Sequence, residues 1–107
     1  MTDVYNVIYS PLANKDLKNI YLYISYKLLS PNTAKNQVDR IRKSIRSLDF
    51  MPSRNPIVDW EPWKSLKIHR LPIDKYIIYY TVEEKELSVT IIRIVYSGRN
   101  LQSILKD

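Results

Sequence analysis

The chain has 107 residues, 45% apolar and 26% charged, with six Pro, one Gly, one His and no Cys, a composition that fits one compact soluble domain over residues 1–107. The lack of Cys excludes disulfides, thiol nucleophiles, iron–sulfur clusters and Cys-type zinc sites; one His cannot build a multi-histidine metal centre, and one Gly excludes Gly-rich phosphate loops and the dinucleotide fingerprint. Seventeen Lys and Arg against eleven Asp and Glu leave a net charge of +6, which suits polyanionic or acidic protein partners.

Val4, Tyr5, Val7, Ile8 and Tyr9 form a β-rich run that stops at Ser10-Pro11. Ser can cap a helix, and Pro at the first helical position gives up an N–H that has no partner there. Leu17, Ile20, Tyr21, Ile24 and Leu28 then recur at steps of three and four, which predicts a helix running to about Leu29. Ser30-Pro31 repeats the cap signal, and Ala34, Val38, Ile41, Ile45 and Leu48 make a second stripe that ends before Pro52. The two helices form an antiparallel hairpin. The outward face of the second carries Lys35, Arg40, Arg42, Lys43 and Arg46, a cation-rich surface that is a solvated face unless a partner covers it.

Pro52 to Pro62, with Trp60 and Trp63 close by, reads as an ordered connector that packs on the sheet, since two indoles in a floppy loop would leave large apolar surface wet. Three β-rich runs follow, Leu66 to Ile73, Tyr76 to Val82 and Leu87 to Tyr96, with turns at Asp74-Lys75 and at Glu83 to Glu86. Tyr76-Ile77-Ile78-Tyr79-Tyr80 is apolar on both faces, as a central strand must be. The fold class is α+β, in the order β-α-α-β-β-β: a small, curved, antiparallel-rich sheet with the helical hairpin on one face.

Among groups that carry chemistry, Asp59 and Glu61 flank Trp60, while Glu83, Glu84 and Glu86 sit in a turn; neither gathers the convergent acids that a metal nuclease needs, so no metal is expected. His69 has no Ser in a nucleophile elbow. What remains is basic and phenolic. Lys67 and His69 are two apart and share one strand face, with Leu66, Ile68 and Arg70 on the other. Antiparallel pairing brings Arg93, Tyr96 and Arg99 near Tyr76 and Tyr80. A metal-free ribonuclease needs a base for the 2′-OH, cations for the phosphorane and an acid for the leaving oxygen, and this inventory can supply them. Each residue also has a plain alternative: a lone strand His as a rim residue, a Tyr as packing, an edge Arg as a solvating group. Arg93 is the exception, because it interrupts the apolar face of Leu87, Val89, Ile91 and Val95 and therefore either meets a carboxylate or lines a site.

The order of elements, the opening Tyr9-Ser10-Pro11-Leu12-Ala13, the run Arg70-Leu71-Pro72-Ile73-Asp74-Lys75-Tyr76-Ile77-Ile78-Tyr79-Tyr80 and the ending Ile91-Ile92-Arg93-Ile94-Val95-Tyr96-Ser97-Gly98-Arg99-Asn100 resemble the RelE/ParE superfamily of type II toxin–antitoxin toxins over nearly the whole chain. The resemblance implies a growth-inhibiting toxin neutralised by a cognate acidic antitoxin, while the lack of Cys leans to the cytoplasm and the single Gly and the lack of any 18-residue apolar run lead to the expectation of no cofactor and no membrane partner. RelE-like members cleave mRNA on the ribosome through basic and phenolic residues of the sheet; ParE-like members inhibit DNA gyrase. Carried over by position, Lys67 and His69 fall where RelE-like toxins place basic residues, Arg99 at the C-terminal arginine, and Tyr96 near a late aromatic or His. The expectation is thus a ribosome-dependent endoribonuclease with Lys67, His69, Arg70, Tyr96 and Arg99 catalytic and Arg93 and Tyr76 binding substrate. The alternative is a gyrase inhibitor, favoured by Ile77 standing where RelE-like members usually have Arg and by the long helical hairpin. A basic adaptor without toxicity is the third reading.

Overall fold

The structure, a computed structural model, describes residues 3–98. Strand β1 (Asn6–Tyr9) leads into helix α1 (Pro11–Leu22), a π-helical turn at Tyr23–Lys27, helix α2 (Pro31–Arg46), then strands β2 (His69–Ile73), β3 (Tyr76–Glu83) and β4 (Ser88–Tyr96). The sheet runs β1-β4-β3-β2, with β1 parallel to β4 and the other pairs antiparallel. This is the expected α+β order, and the central, doubly buried strand is β3, with Ile77, Ile78, Tyr79 and Tyr80 all buried.

Both helices start at Pro, but the two Ser residues differ. The Ser10 Oγ accepts the Ala13 amide at 3.0 Å and so caps α1. That of Ser30 instead donates to the Thr33 hydroxyl at 2.6 Å and makes no bond to the α2 backbone. The first helix is also shorter than its apolar stripe suggests. After Leu22 the chain widens into the π turn, which keeps Ile24 buried but leaves Leu28 and Leu29 exposed. The α2 stripe holds throughout: Ala34, Val38, Ile41, Ile45 and then Leu48 are buried.

The hairpin covers one sheet face. Leu17, Ile41, Ile45 and Leu48 pack with Ile78, Tyr80, Val89, Ile91 and Ile94 in the larger core. α2 is further tied to the β2–β3 turn by Gln37 and Arg40, which both donate to the Asp74 carboxylate, the first at 2.9 Å. Asp74 sits in the left-handed region at φ 55°, as a two-residue hairpin turn requires.

Strict alternation fails along β4. Tyr79 pairs with Arg93 but Tyr80 pairs with Ile91, so Ile92 is the extra residue of a bulge. The inward set is therefore Val89, Ile91 and Ile94, with Val95 on the opposite face, not the even series that a flat strand would give. The run from Leu66 to Ile73 also begins later as a strand than its sequence suggests. Lys67 lies at φ 56° in a turn where its amide bonds the Lys64 carbonyl, and β2 starts only at His69.

Candidate functional site

The connector between α2 and β2 lies across the sheet face opposite the hairpin. Val58, Trp63 and Ile68 are buried there against Ile77, Tyr79 and Val95, with Trp60 half-buried beside them. Tyr79 is the centre of this second core. The Trp63 ring stands edge-on to it at 4.9 Å between centroids, the Trp60 ring at 6.2 Å, and the two indoles stack at 6.4 Å. Backbone bonds fix the connector along β2: the Val58 amide donates to the Ile68 carbonyl at 2.9 Å and the Arg70 amide to the Pro56 carbonyl at 3.0 Å.

The residues expected to act on RNA divide into separate places. His69 is buried, its ring stacked on Tyr80 at 5.1 Å, and its Nδ1 lies 2.7 Å from the Asn55 carbonyl oxygen. A carbonyl can only accept, so Nδ1 carries the hydrogen. Lys67 is exposed on the turn before β2 and does not share a strand face with His69. Arg70 is half-buried on the connector side, opposite Tyr79. Tyr76 and Tyr96 do come together, paired across β3 and β4 with ring centroids 6.0 Å apart. They stand at the other end of the sheet, four residues along β3 from the Tyr80 that His69 touches, or about 13 Å at a strand's rise. Gly98 lies close against Tyr96: a Cβ there would come within 2.8 Å of the ring. Arg99 falls outside the described residues.

Arg93 meets a carboxylate. Its Nε and one terminal nitrogen donate to Asp16 of α1 at 2.8 and 3.1 Å, and the Ile94 amide donates to the same carboxylate at 2.9 Å. Asp16 was not singled out by sequence, although it is the only acid in α1, between Lys15 and Lys18.

Burial raises the Tyr76, Tyr79 and Tyr80 phenols above their ordinary value, against the smaller lowering effect of Arg70 on Tyr79 and of Asn55 and Arg54 on Tyr80. These phenols are driven away from the neutral range where a general base works. Among the described residues, no group of three or more His, Asp or Glu side chains is gathered as metal ligands, and no helix is long and apolar enough to cross a membrane. A groove of about 260 Å³ on the hairpin, lined by Asn14, Leu17, Lys18, Tyr21, Val38 and Arg42, combines an apolar floor with two cations.

A family model described as the ParE toxin of the type II toxin–antitoxin system parDE matches residues 7–101. The chain belongs to the ParE toxin family. No curated protein matches it. Among solved structures, this ParE-family chain is similar to the chromosomal ParDE toxin–antitoxin system of P. aeruginosa, at 19% identity and TM-score 0.71 over 87% of this chain and 96% of that one. It is similar also to the RelBE2 toxin–antitoxin complex of Mycobacterium tuberculosis, at 16% identity and TM-score 0.61 over 92% and 98% of the two chains. The archaeal RelE–RelB complex of Pyrococcus horikoshii matches at 15% identity and TM-score 0.63 over 91% and 99%. At these identities the likeness is one of fold, and that fold is common to the ParE and RelE branches of the superfamily.

Proposed function

We propose that this ParE-family toxin inhibits growth by binding rather than by cutting RNA, that its target is DNA gyrase, and that an acidic antitoxin neutralises it. The observation that carries this reading is the filling of the sheet face opposite the hairpin by Val58, Trp60, Trp63 and Ile68 on Ile77, Tyr79 and Val95. Metal-free RNA cleavage needs a base, an acid and cations within hydrogen-bond reach of one phosphate. Here Arg93 is held by Asp16 and His69 by the Asn55 carbonyl, while the Tyr76–Tyr96 pair lies at the far end of the sheet. Ile77, where RelE-like toxins usually carry Arg, is buried in the Trp-lined core, so an Arg there would bring an unpaired charge into it.

The antitoxin assignment rests on the net charge of +6, on the exposed cations Lys35, Arg40, Arg42, Lys43 and Arg46 of α2, and on family membership. An acidic, partly disordered chain that orders on binding complements such a surface.

The deciding experiment adds purified protein in parallel to a gyrase supercoiling reaction and to ribosomes programmed with mRNA. Supercoiling should stop while the mRNA stays intact. Cut mRNA with gyrase unaffected would overturn the proposal and restore the endoribonuclease reading, with Lys67, His69, Arg70, Tyr96 and Arg99 as its catalytic set and Arg93 and Tyr76 as substrate contacts.

A further inference from the structure

Leu29 and Tyr26, the two most exposed large apolar side chains among the described residues at 83% and 72%, both stand in the turn between α1 and α2. Leu28 and Tyr23, more than half exposed, stand beside them in the chain. The turn itself is held in place. Ile24 and Ser25 are buried beneath it, and the Ser30 amide donates to the Ile24 carbonyl at 3.3 Å, closing the π-helical stretch Tyr23–Lys27. Leu29 then adopts φ 51°, the left-handed conformation that follows many helix ends and is ordinarily given to Gly or Asn, because a Cβ is disfavoured there. Leu takes that strain although so exposed a side chain packs on little of its own chain. A π-helical turn and a strained residue other than Gly are both marks of functional positions.

Charge narrows what can cover this turn. From Leu17 to Val38 the chain carries Lys18, Lys27 and Lys35, all exposed, and no Asp or Glu. Two copies meeting at this turn would set Lys27 against Lys27, which like charge opposes. At these exposures the side chains stand out from the surface and do not line a groove, so they suit a yielding apolar medium with negative charge at its rim. An anionic lipid bilayer is such a medium. Its acyl boundary accepts leucines in any arrangement, its interfacial layer is where Tyr rings are enriched, and its headgroups attract Lys.

We propose that the α1–α2 turn docks reversibly on an anionic lipid surface, with Leu28 and Leu29 entering the acyl boundary, Tyr23 and Tyr26 lying among the headgroups and Lys27 meeting the lipid phosphates. The sequence expectation of no membrane partner rests on the lack of a spanning run, and a contact at the interface needs none. The docking does not depend on whether the target in the cell is gyrase or mRNA.

The test is co-sedimentation of the full chain with sucrose-loaded vesicles at constant ionic strength. One set is phosphatidylcholine alone and the other an equal mixture of phosphatidylcholine and phosphatidylglycerol. Binding to the mixed vesicles should be stronger by about tenfold or more. Leu28→Ser combined with Leu29→Gly keeps every cation and relieves the left-handed backbone. Its melting midpoint should therefore hold or rise, while its binding to the mixed vesicles falls by about tenfold or more. Lys27→Gln should weaken binding by about fivefold. No binding to the mixed vesicles would overturn the proposal and leave the turn to a protein partner. Undiminished binding by the leucine double variant would overturn it as well, since net charge alone would then draw the chain to lipid. So would equal binding to the neutral vesicles. The gyrase supercoiling reaction contains no lipid, so that reading stands or falls separately.

Discussion

The Asp16 carboxylate on α1 and the Arg93 guanidinium on β4 are joined by two hydrogen bonds, and the same carboxylate accepts the Ile94 amide. The pairing has a structural cause. The parallel ladder of β1 on β4 stops at Tyr9 and Ile91, whereas β4 continues to Tyr96, so its outer edge past the Ile92 bulge has no strand partner among the described residues. α1 covers that edge. The Ser10 hydroxyl donates to the Ile92 carbonyl at 3.0 Å, and Asp16 takes the next free amide together with the cation beside it.

Because both side chains are mostly buried, at 19% and 13% exposure, removing one leaves the other charged and unpaired. Asp16→Ala should lower the unfolding free energy by about 3 kcal/mol or more, and replacing the pair together, Asp16→Leu with Arg93→Met, should be far less harmful than the sum of the singles. Urea denaturation of the parent, Asp16→Ala, the singles Asp16→Leu and Arg93→Met, and the double replacement measures this. A loss under about 0.5 kcal/mol for Asp16→Ala, the range of an ordinary surface change, would show that the pair is not structural.

Ile41 is fully buried on the α2 stripe between hairpin and sheet. Ile41→Ala removes three carbons from a close-packed site, and about 2 to 5 kcal/mol should be lost. Chemical denaturation at constant m-value checks it, and an unchanged midpoint would mean that the stripe does not hold the two layers together.

Lys67 adopts φ 56°, a conformation that disfavours any residue with a Cβ. Lys67→Gly should therefore stabilise the fold, by about 0.5 to 1 kcal/mol, despite deleting a side chain. Under the proposed binding mechanism the variant also retains its growth arrest; loss of toxicity with the midpoint raised would assign the Lys67 ammonium a direct role at the target.

Tyr79 and Tyr80 are buried with phenol ionisation raised above its ordinary value of 10.0. A group raised on folding contributes stability that is complete below its unfolded value and is lost as the pH climbs through its folded one. The melting midpoint should therefore hold below about pH 10 and fall above it. Tyr79→Phe should flatten part of that fall. A midpoint equally flat to pH 11 in the parent protein, followed by calorimetry with phenolate absorbance, would contradict the burial of these hydroxyls.

The local elements were legible because each is written in short-range chemistry. Ser10-Pro11 and Pro31 start the helices, the α2 stripe from Ala34 to Leu48 has a helical period and is buried as that period demands, and the all-apolar Tyr76 to Tyr80 run is the central strand. The connector's two Trp residues foretold a packed segment, because apolar surface of that size does not stay in water. The same reading also left Arg93 with two possible fates, a carboxylate or a site.

The tertiary structure decided which. No local rule identifies Asp16 as the partner of a residue 77 positions away, because a long-range ion pair depends on where the β1 ladder ends and where α1 crosses the open edge. The bulge at Ile92 likewise comes from cross-strand register, and it moves Val95 to the face that strict alternation denies it. His69 and Lys67 lost their common face because the chain turns at Lys67 with a left-handed backbone before β2 begins, a conformation that Lys itself does not signal. The sequence determined the layers and their order, since helical and strand periods act within a few residues. Only the folded chain decided which polar groups meet, because their partners come from distant segments brought together by the packing of those layers.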